Sequence, residues 1–281
     1  MITVLNPGIY STIQDFGRPG FANIGVPISG VMDSYSAKIG NQLLNNNKED
    51  AVVEITFGGC KFMFEKDMKI CVTGANFNMK IDDKEMQMYS VLEVKKGSVL
   101  SFGKKVVGIR TYLSVQGGFL SEVVLTSKSF YKGITVNDVL MKGDQLRMDT
   151  HNSIHVQTFS KIKIDKSHFK TNQIECYKGP EFDLLSEEQQ KALTKNLFTI
   201  SNDNNRVGYR LEELFKNQLK PILTSGVLPG TVQLTPSGKL IILMRDCQVT
   251  GGYPRVLQLN ESGINRLAQK TTNDKLQFVI N

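Results

Sequence analysis

The sequence has no tryptophan, three histidines and four cysteines (Cys60, Cys71, Cys176, Cys247) too far apart for any CxxC pair. That spacing excludes a zinc finger, and in a chain of 281 residues it argues against a disulfide framework. The four thiols read as small apolar residues in a reducing compartment, so a cytoplasmic protein is expected. Apolar runs are short. The longest aliphatic run near the C-terminus, Leu240–Met244, falls far below the ~20 residues of a membrane span, and no membrane partner is expected. The N-terminus, MITVLNPGIYSTIQDFG, lacks the basic start and apolar stretch of a signal peptide. Lys and Arg number 34 against 27 Asp and Glu, a formal charge of +7, yet basic runs stop at pairs such as Lys95-Lys96 and Lys104-Lys105. A nucleic-acid arm needs clustered cations. The excess therefore reads as surface solvation with a weaker attraction for anionic substrates, and no nucleic acid is expected as a partner.

Signature motifs are also missing. The chain has no GxxxxGK[ST], GxGxxG, HExxH or GxSxG, so ATP binding by this chain alone is not expected. His151 and His155 have the four-residue spacing of a metal pair on a helix. With His168 they lie in a polar stretch and read as solvated or hydrogen-bonded, and no metal site is expected.

Proline is absent between Pro27 and Pro180. This proline-free middle carries short β-rich runs, among them 51–55, 69–73, 91–94 and 109–115, punctuated by Gly58-Gly59, Gly74-Ala75-Asn76 and Gly117-Gly118. Strands at that spacing favour a sandwich or barrel over alternating βαβ units. Helical patterns cover 33–44, with Asp33 or Ser34 as N-cap, 186–197, where Ser186 and Gln189 resemble a capping box, and 262–269. The expected class is mostly β with a few helices. A boundary is expected in the polar stretch 151–172, giving an N-terminal subdomain over 1–165 and a C-terminal one over 166–281, with discontinuous subdomains as the alternative.

Three clusters mix Gly, Pro and reactive side chains. The first, over 12–33, presents Gln14, Asp15, Arg18, Ser29 and Asp33 on a loop that Pro and Gly give a fixed shape. Arg18 is suited to clamp a carboxylate or phosphate, and Asp15 to hold that Arg or act as a base. An ion pair stapling the loop, and Asp33 capping a helix, are the plainer readings. The second, Ser201–Leu211, places Arg206 and Arg210 around Gly208-Tyr209, which suits an anion clamp with an aromatic wall, and equally a tight turn before an edge strand. The third is a predicted hairpin, 232–234 and 239–244, that empties into Arg245-Asp246-Cys247-Gln248-Val249-Thr250-Gly251-Gly252-Tyr253-Pro254. A rigid strand delivering Asp, Gln and Thr to a Gly-Gly turn builds a small-molecule site, and the Gly pair lets backbone N–H groups approach an oxyanion. Cys247 has no histidine nearby in sequence to activate it and reads as a bystander.

In this order the clusters resemble the KipA-like family, the C subunits of 5-oxoprolinase, itself similar to part of the carboxyltransferase region of urea carboxylase (urea amidolyase). The matching segments are TIQDFGRPGFANIGVPISGVMD (12–33), VVEITFGG (52–59), VTGANF (72–77), RTYLSVQGGF (110–119), KGPEFD (178–183), NRVGYRLE (205–212), SGVLPGTVQLTPSGKLIILMRDCQVTGGYP (225–254) and LAQ (267–269). Where relatives carry a cation after the Asp of the last motif, this chain has Cys247, leaving Arg245 as a substitute. The resemblance implies two β-rich subdomains with cyclophilin-like β-barrel character. It implies a 5-oxoprolinase that converts 5-oxoproline to glutamate at the expense of ATP. Its partners would be a KipI-like protein (the B component) and a LamB/YcsF-like protein (the A component), with ATP held by those chains. On the motif positions it places Asp15, Asp246, Gln233 and Thr250 as catalytic. Gln14, Arg18, Ser29, Asp33, Arg206, Tyr209, Gly251, Gly252 and Tyr253 become binders of a small lactam or amide. Two alternatives accompany it: a biotin-dependent carboxyl transfer to urea or a related amide, and a KipA-type regulator that sequesters a KipI-like kinase inhibitor. Met141-Lys142-Gly143 lacks the second Met of a biotinylation site, so any biotin would ride on a separate carrier.

Overall fold

The computed structural model describes residues 1–149 and 164–281. Two units emerge: Met1–Arg18 with Asp33–Lys166, and Pro19–Met32 with Ser167–Asn281. The second therefore takes in 19–32, which a single cut at 165/166 assigns to the first. The cause is local bonding within the second unit. Met32 is fully buried in that unit's core, the Ser29 N–H donates to the Arg245 carbonyl (2.9 Å), and Arg206 donates to the Gly30 carbonyl (2.6 Å).

The first unit comprises β1 (Ile2–Asn6), β2 (Tyr10–Gln14), α1 (Ser34–Leu43), β3 (Val52–Thr56), β4 (Lys61–Phe64), β5 (Met68–Asn76), β6 (Lys80–Ile81), β7 (Lys84–Glu85), β8 (Leu92–Val94), β9 (Val99–Ser101), β10 (Val107–Val115), β11 (Phe119–Leu120) and β12 (Gln145–Met148). They form two sheets, ordered β11-β12-β1-β4-β9-β6-β7 and β2-β3-β10-β5-β8. Period-2 alternation buries one face of each: Val53 and Ile55 on β3, Leu113 and Val115 on β10, and Phe62 and Phe64 on β4 enter one apolar core. The other face of β3 and β10 is polar and also buried. There Tyr112 donates to Glu54 (2.9 Å) and accepts the Asp33 N–H (2.8 Å), and burial pushes its phenol pKa well up. Helix α1 lies on this sheet, N-capped by the Asp33 carboxylate. Gly40 permits the contact: a Cβ there would sit 2.5 Å from Ser114 Oγ.

The second unit comprises β13 (Gln173–Lys178), α2 (Glu187–Lys195), β14 (Phe198–Asn204), β15 (Gly208–Leu214), β16 (Ser225–Gly226), β17 (Thr231–Leu234), β18 (Lys239–Leu243), β19 (Thr250–Gly251), β20 (Arg255–Leu259), α3 (Glu261–Leu267) and β21 (Lys275–Ile280). Seven of these strands close a barrel in the order β13-β20-β17-β18-β15-β14-β21, with β13 and β21 parallel. Closure removes the exposed sheet edge. Ser186 and Gln189 form the expected reciprocal capping box on α2, and Asn260 caps α3. The β17–β18 hairpin turns at Gly238, whose φ of +86° and 2.9 Å approach of a hypothetical Cβ to the Phe215 carbonyl both require glycine. Among the described residues no helix is long and apolar enough to cross a membrane.

Candidate functional site

The barrel's alternation sorts the second and third motif clusters into two faces. On β15, Tyr209 and Leu211 enter the core while Gly208 and Arg210 face out. On β18, Leu240 and Ile242 enter, and Ile241 and Leu243 face out. On β17, Val232 and Leu234 enter, which turns Gln233 outward. An outward glutamine would normally be solvated. Here it is only 2% exposed, because Gly251 packs on it. The result is a cavity of about 220 Å³ lined by Asn205, Val207, Gly208, Arg210, Gln233, Ile241, Leu243, Gln248 and Tyr253. That is smaller than the roughly 300–1,000 Å³ of sites for drug-sized ligands, so it suits a small metabolite.

The Gln233 amide nitrogen is buried and has no hydrogen-bond partner among the described residues. A buried donor left unsatisfied costs about 1–3 kcal/mol, and of the five buried side-chain atoms without a partner among the described residues, only this one belongs to a residue lining the cavity. Gly251 is what allows the amide to sit there, since a Cβ at that position would lie 2.4 Å from Gln233 Nε2.

Beside the cavity, Arg206 and Asp246 form a bidentate ion pair (Nε–Oδ2 2.7 Å, Nη2–Oδ1 3.0 Å) with both side chains largely buried. Arg206 also donates to Gly30, next to Ser29, which holds a left-handed φ of +58°. The pair is backed by main-chain bonds from Asp246 N–H to Arg206 O and from Met244 N–H to Val207 O (both 2.9 Å). Together these fix the chain around Val207 and Gln248, two residues of the cavity wall. Cys247 is buried in an apolar cluster with Val227 and Leu243, and burial, reinforced by the Asp246 charge, pushes its thiol up to about 12. It stays neutral and is no nucleophile. Arg245 donates through Nη2 to Glu261 (2.6 Å), and its Nε is buried with no partner among the described residues.

Residues 24–280 match the family model for the carboxyltransferase domain, subdomains A and B. The chain belongs to that family. It is 31% identical over 284 residues to the C subunit of 5-oxoprolinase from Haemophilus influenzae, covering 99% of this chain and 90% of the relative, and 31% identical over 287 residues to that of Escherichia coli. The Kluyveromyces lactis urea carboxylase structure matches 99% of this chain with a TM-score of 0.87 and 28% identity, and this chain spans only 27% of that protein. The expected mostly β, barrel-containing fold is thus the fold found.

In this carboxyltransferase-domain chain, the residues expected at the site do not all meet at the cavity. Gln233 and Tyr253 line the cavity, and Gly251 supports it from behind. Thr250 is exposed on β19, which pairs with β16, and Gly252 presents its carbonyl to the Ile222 N–H (3.0 Å); neither lines the cavity. Arg206, Asp246 and Ser29 make the buried ion-pair assembly. Tyr209 is not an aromatic wall, because it faces the barrel interior and donates to the Lys270 carbonyl (3.2 Å).

The remaining four belong to the first unit, where they organise loops. Asp15 accepts from Ser127 Oγ, Ser129 Oγ and the Lys128 N–H, all at 2.6 Å, and from the Gly17 N–H at 2.8 Å, which leaves its carboxylate saturated. Arg18 is fully buried and donates to the carbonyls of Ser129 (2.5 Å) and Val124 (3.4 Å). Gln14 binds Thr12 and the Phe130 carbonyl (both 3.1 Å), and Asp33 caps α1. Asn205, Arg210 and Gln248 line the cavity although the motif positions did not single them out as site residues. Arg210 and Gln248 do stand in the second and third clusters, where Arg210 reads as half of an anion clamp. His151 and His155 lie outside the described residues, and His168 is buried.

Proposed function

We propose that this chain is the C subunit of an ATP-dependent 5-oxoprolinase, and that the Gln233 cavity binds the lactam. The observation that carries the reading is the unsatisfied amide nitrogen of Gln233, a residue that lines a small cavity. A ring carbonyl oxygen would supply the acceptor this nitrogen lacks, and a preorganised donor of this kind strengthens its bond as negative charge builds on that oxygen during ring opening. Near full-length likeness to two 5-oxoprolinase C subunits supports the assignment. The lining residues include no carboxylate, so this chain holds and polarises the carbonyl while the ATP-dependent step falls to the KipI-like and LamB/YcsF-like partners. The residues here offer no phosphate loop to hold ATP and no biotin-bearing lysine motif, and neither group is assigned to this chain. Four free, buried cysteines fit a cytoplasmic setting.

The second reading, carboxyl transfer to urea or a related amide with biotin on a separate carrier, rests on the likeness to urea carboxylase. The test is glutamate release from 5-oxoproline and ATP, with this chain and its KipI-like and LamB/YcsF-like partners mixed and each omitted in turn. Activity that requires all three supports the proposal. Turnover by the two partners without this chain would refute it and favour a sequestering, KipA-type role.

A further inference from the structure

We propose that Arg210 reads the charge of the ligand in the Gln233 cavity, and that the site accepts a lactam bearing a carboxylate in preference to a neutral amide. The inference rests on the reading of this cavity as the ligand site. Of the residues lining it, Arg210 alone carries a charge. The other arginines considered for anion binding are not among the lining residues and have partners elsewhere: Arg206 with Asp246 and Gly30, Arg245 with Glu261, and Arg18 with carbonyls inside the first unit. Arg210 is paired too, with Asp203, but both side chains are about half exposed. An exposed pair is worth only about 0–1 kcal/mol, so a ligand carboxylate can take the place of Asp203 at little cost. A guanidinium also offers two parallel N–H donors to a carboxylate.

Register sets the spacing. Gln233 pairs with Ile241 across β17–β18, and Ile241 pairs with Arg210 across β18–β15. The amide donor and the guanidinium thus stand two strands apart, roughly 10 Å between Cα atoms, with the Ile241 side chain between them on the same face. A five-membered lactam acid matches this order of groups: carbonyl oxygen at Gln233, ring methylenes over Ile241, carboxylate at Arg210. Urea has a single carbonyl, no methylenes for Ile241 and no carboxylate for Arg210, and it is too short to reach both donors.

Calorimetric titration of the assembled complex with 5-oxoproline, 2-pyrrolidinone and urea tests this. The expected result is at least about tenfold tighter binding of 5-oxoproline than of 2-pyrrolidinone, and weaker binding still of urea. Arg210→Gln should abolish the difference between the lactams by weakening 5-oxoproline alone. Asp203→Asn, which removes the competing carboxylate, should keep or widen it. Equal binding of the two lactams by the unaltered protein, or an undiminished preference in Arg210→Gln, overturns the role of Arg210 and leaves the cavity standing. Failure of both lactams to bind, or unchanged binding in Gln233→Leu, overturns the cavity reading and this proposal with it.

Discussion

At the scale of single residues, the site depends on Gln233 being kept dry and unpaired, and Gly251 is the residue that enforces this. Gly251→Ala would place a methyl group 2.4 Å from the Gln233 amide nitrogen, forcing the amide out of position. Lactam affinity should fall at least about tenfold, with about 1–3 kcal/mol lost in stability from overpacking alone, since the backbone there needs no unusual φ; titration calorimetry and thermal unfolding read the two effects. Asp246 behaves differently. Asp246→Ala leaves the Arg206 guanidinium buried without its carboxylate, and loss of one partner from a buried pair costs about 3–5 kcal/mol. A large drop in the urea midpoint is expected, with the chain around Ser29 loosened as well. In the sequence, Asp246 had looked catalytic and Arg206 a substrate clamp. Motif position marks both residues, and the structure pairs them with each other.

At the scale of elements, much was legible. The runs read as strands at 51–55, 69–73, 91–94 and 109–115 correspond to β3, β5, β8 and β10, and the hairpin read at 232–244 is β17–β18. The three helices lie within two residues or so of their expected bounds, because Asp33, Ser186 and Asn260 cap them through local side-chain bonds that sequence spacing encodes. What could not be read was which face of each strand met which partner. Tyr209 and Arg210 differ by one residue and by the two sides of the barrel wall, a distinction fixed only by closure.

The β13–β20 seam shows how such closure is held. Glu181, just beyond β13, accepts from the Arg255 guanidinium (2.8 and 3.0 Å) and from the Arg255 N–H at the start of β20 (2.8 Å). The Arg255 bonds hold the Glu181 pKa below the usual carboxylate range. Glu175 on β13 is held low as well, chiefly by Asn260 and then by Arg266 on α3. A carboxylate whose pKa is lowered by folding stabilises the fold fully above its unfolded pKa and loses that contribution as pH falls through the folded value. Stability should therefore be level near neutrality and decline below about pH 4.5. Glu181→Gln should lower stability at neutral pH and flatten that acid limb, as thermal unfolding across a pH series would show.

At the scale of the whole molecule, the chain is two β-rich units whose sequence order is interrupted once, by residues 19–32 passing to the second unit. No local pattern announces this excursion, because Met32 entering the barrel core and Gly30 bonding to Arg206 are contacts separated by more than a hundred residues in sequence. The same non-local logic assembles the cavity from 205–210, 233, 241–243 and 248–253. Its proposed role as the lactam site of a multi-subunit enzyme is tested most directly by Gln233→Leu in the reconstituted complex, followed by glutamate release, complex assembly and the Tm of the isolated chain. Loss of about 100-fold or more in kcat/KM is predicted, with assembly intact and Tm unchanged or raised, since an unsatisfied buried amide gives way to an apolar group of similar size. Undiminished turnover in that variant would contradict the role given to Gln233 and its cavity.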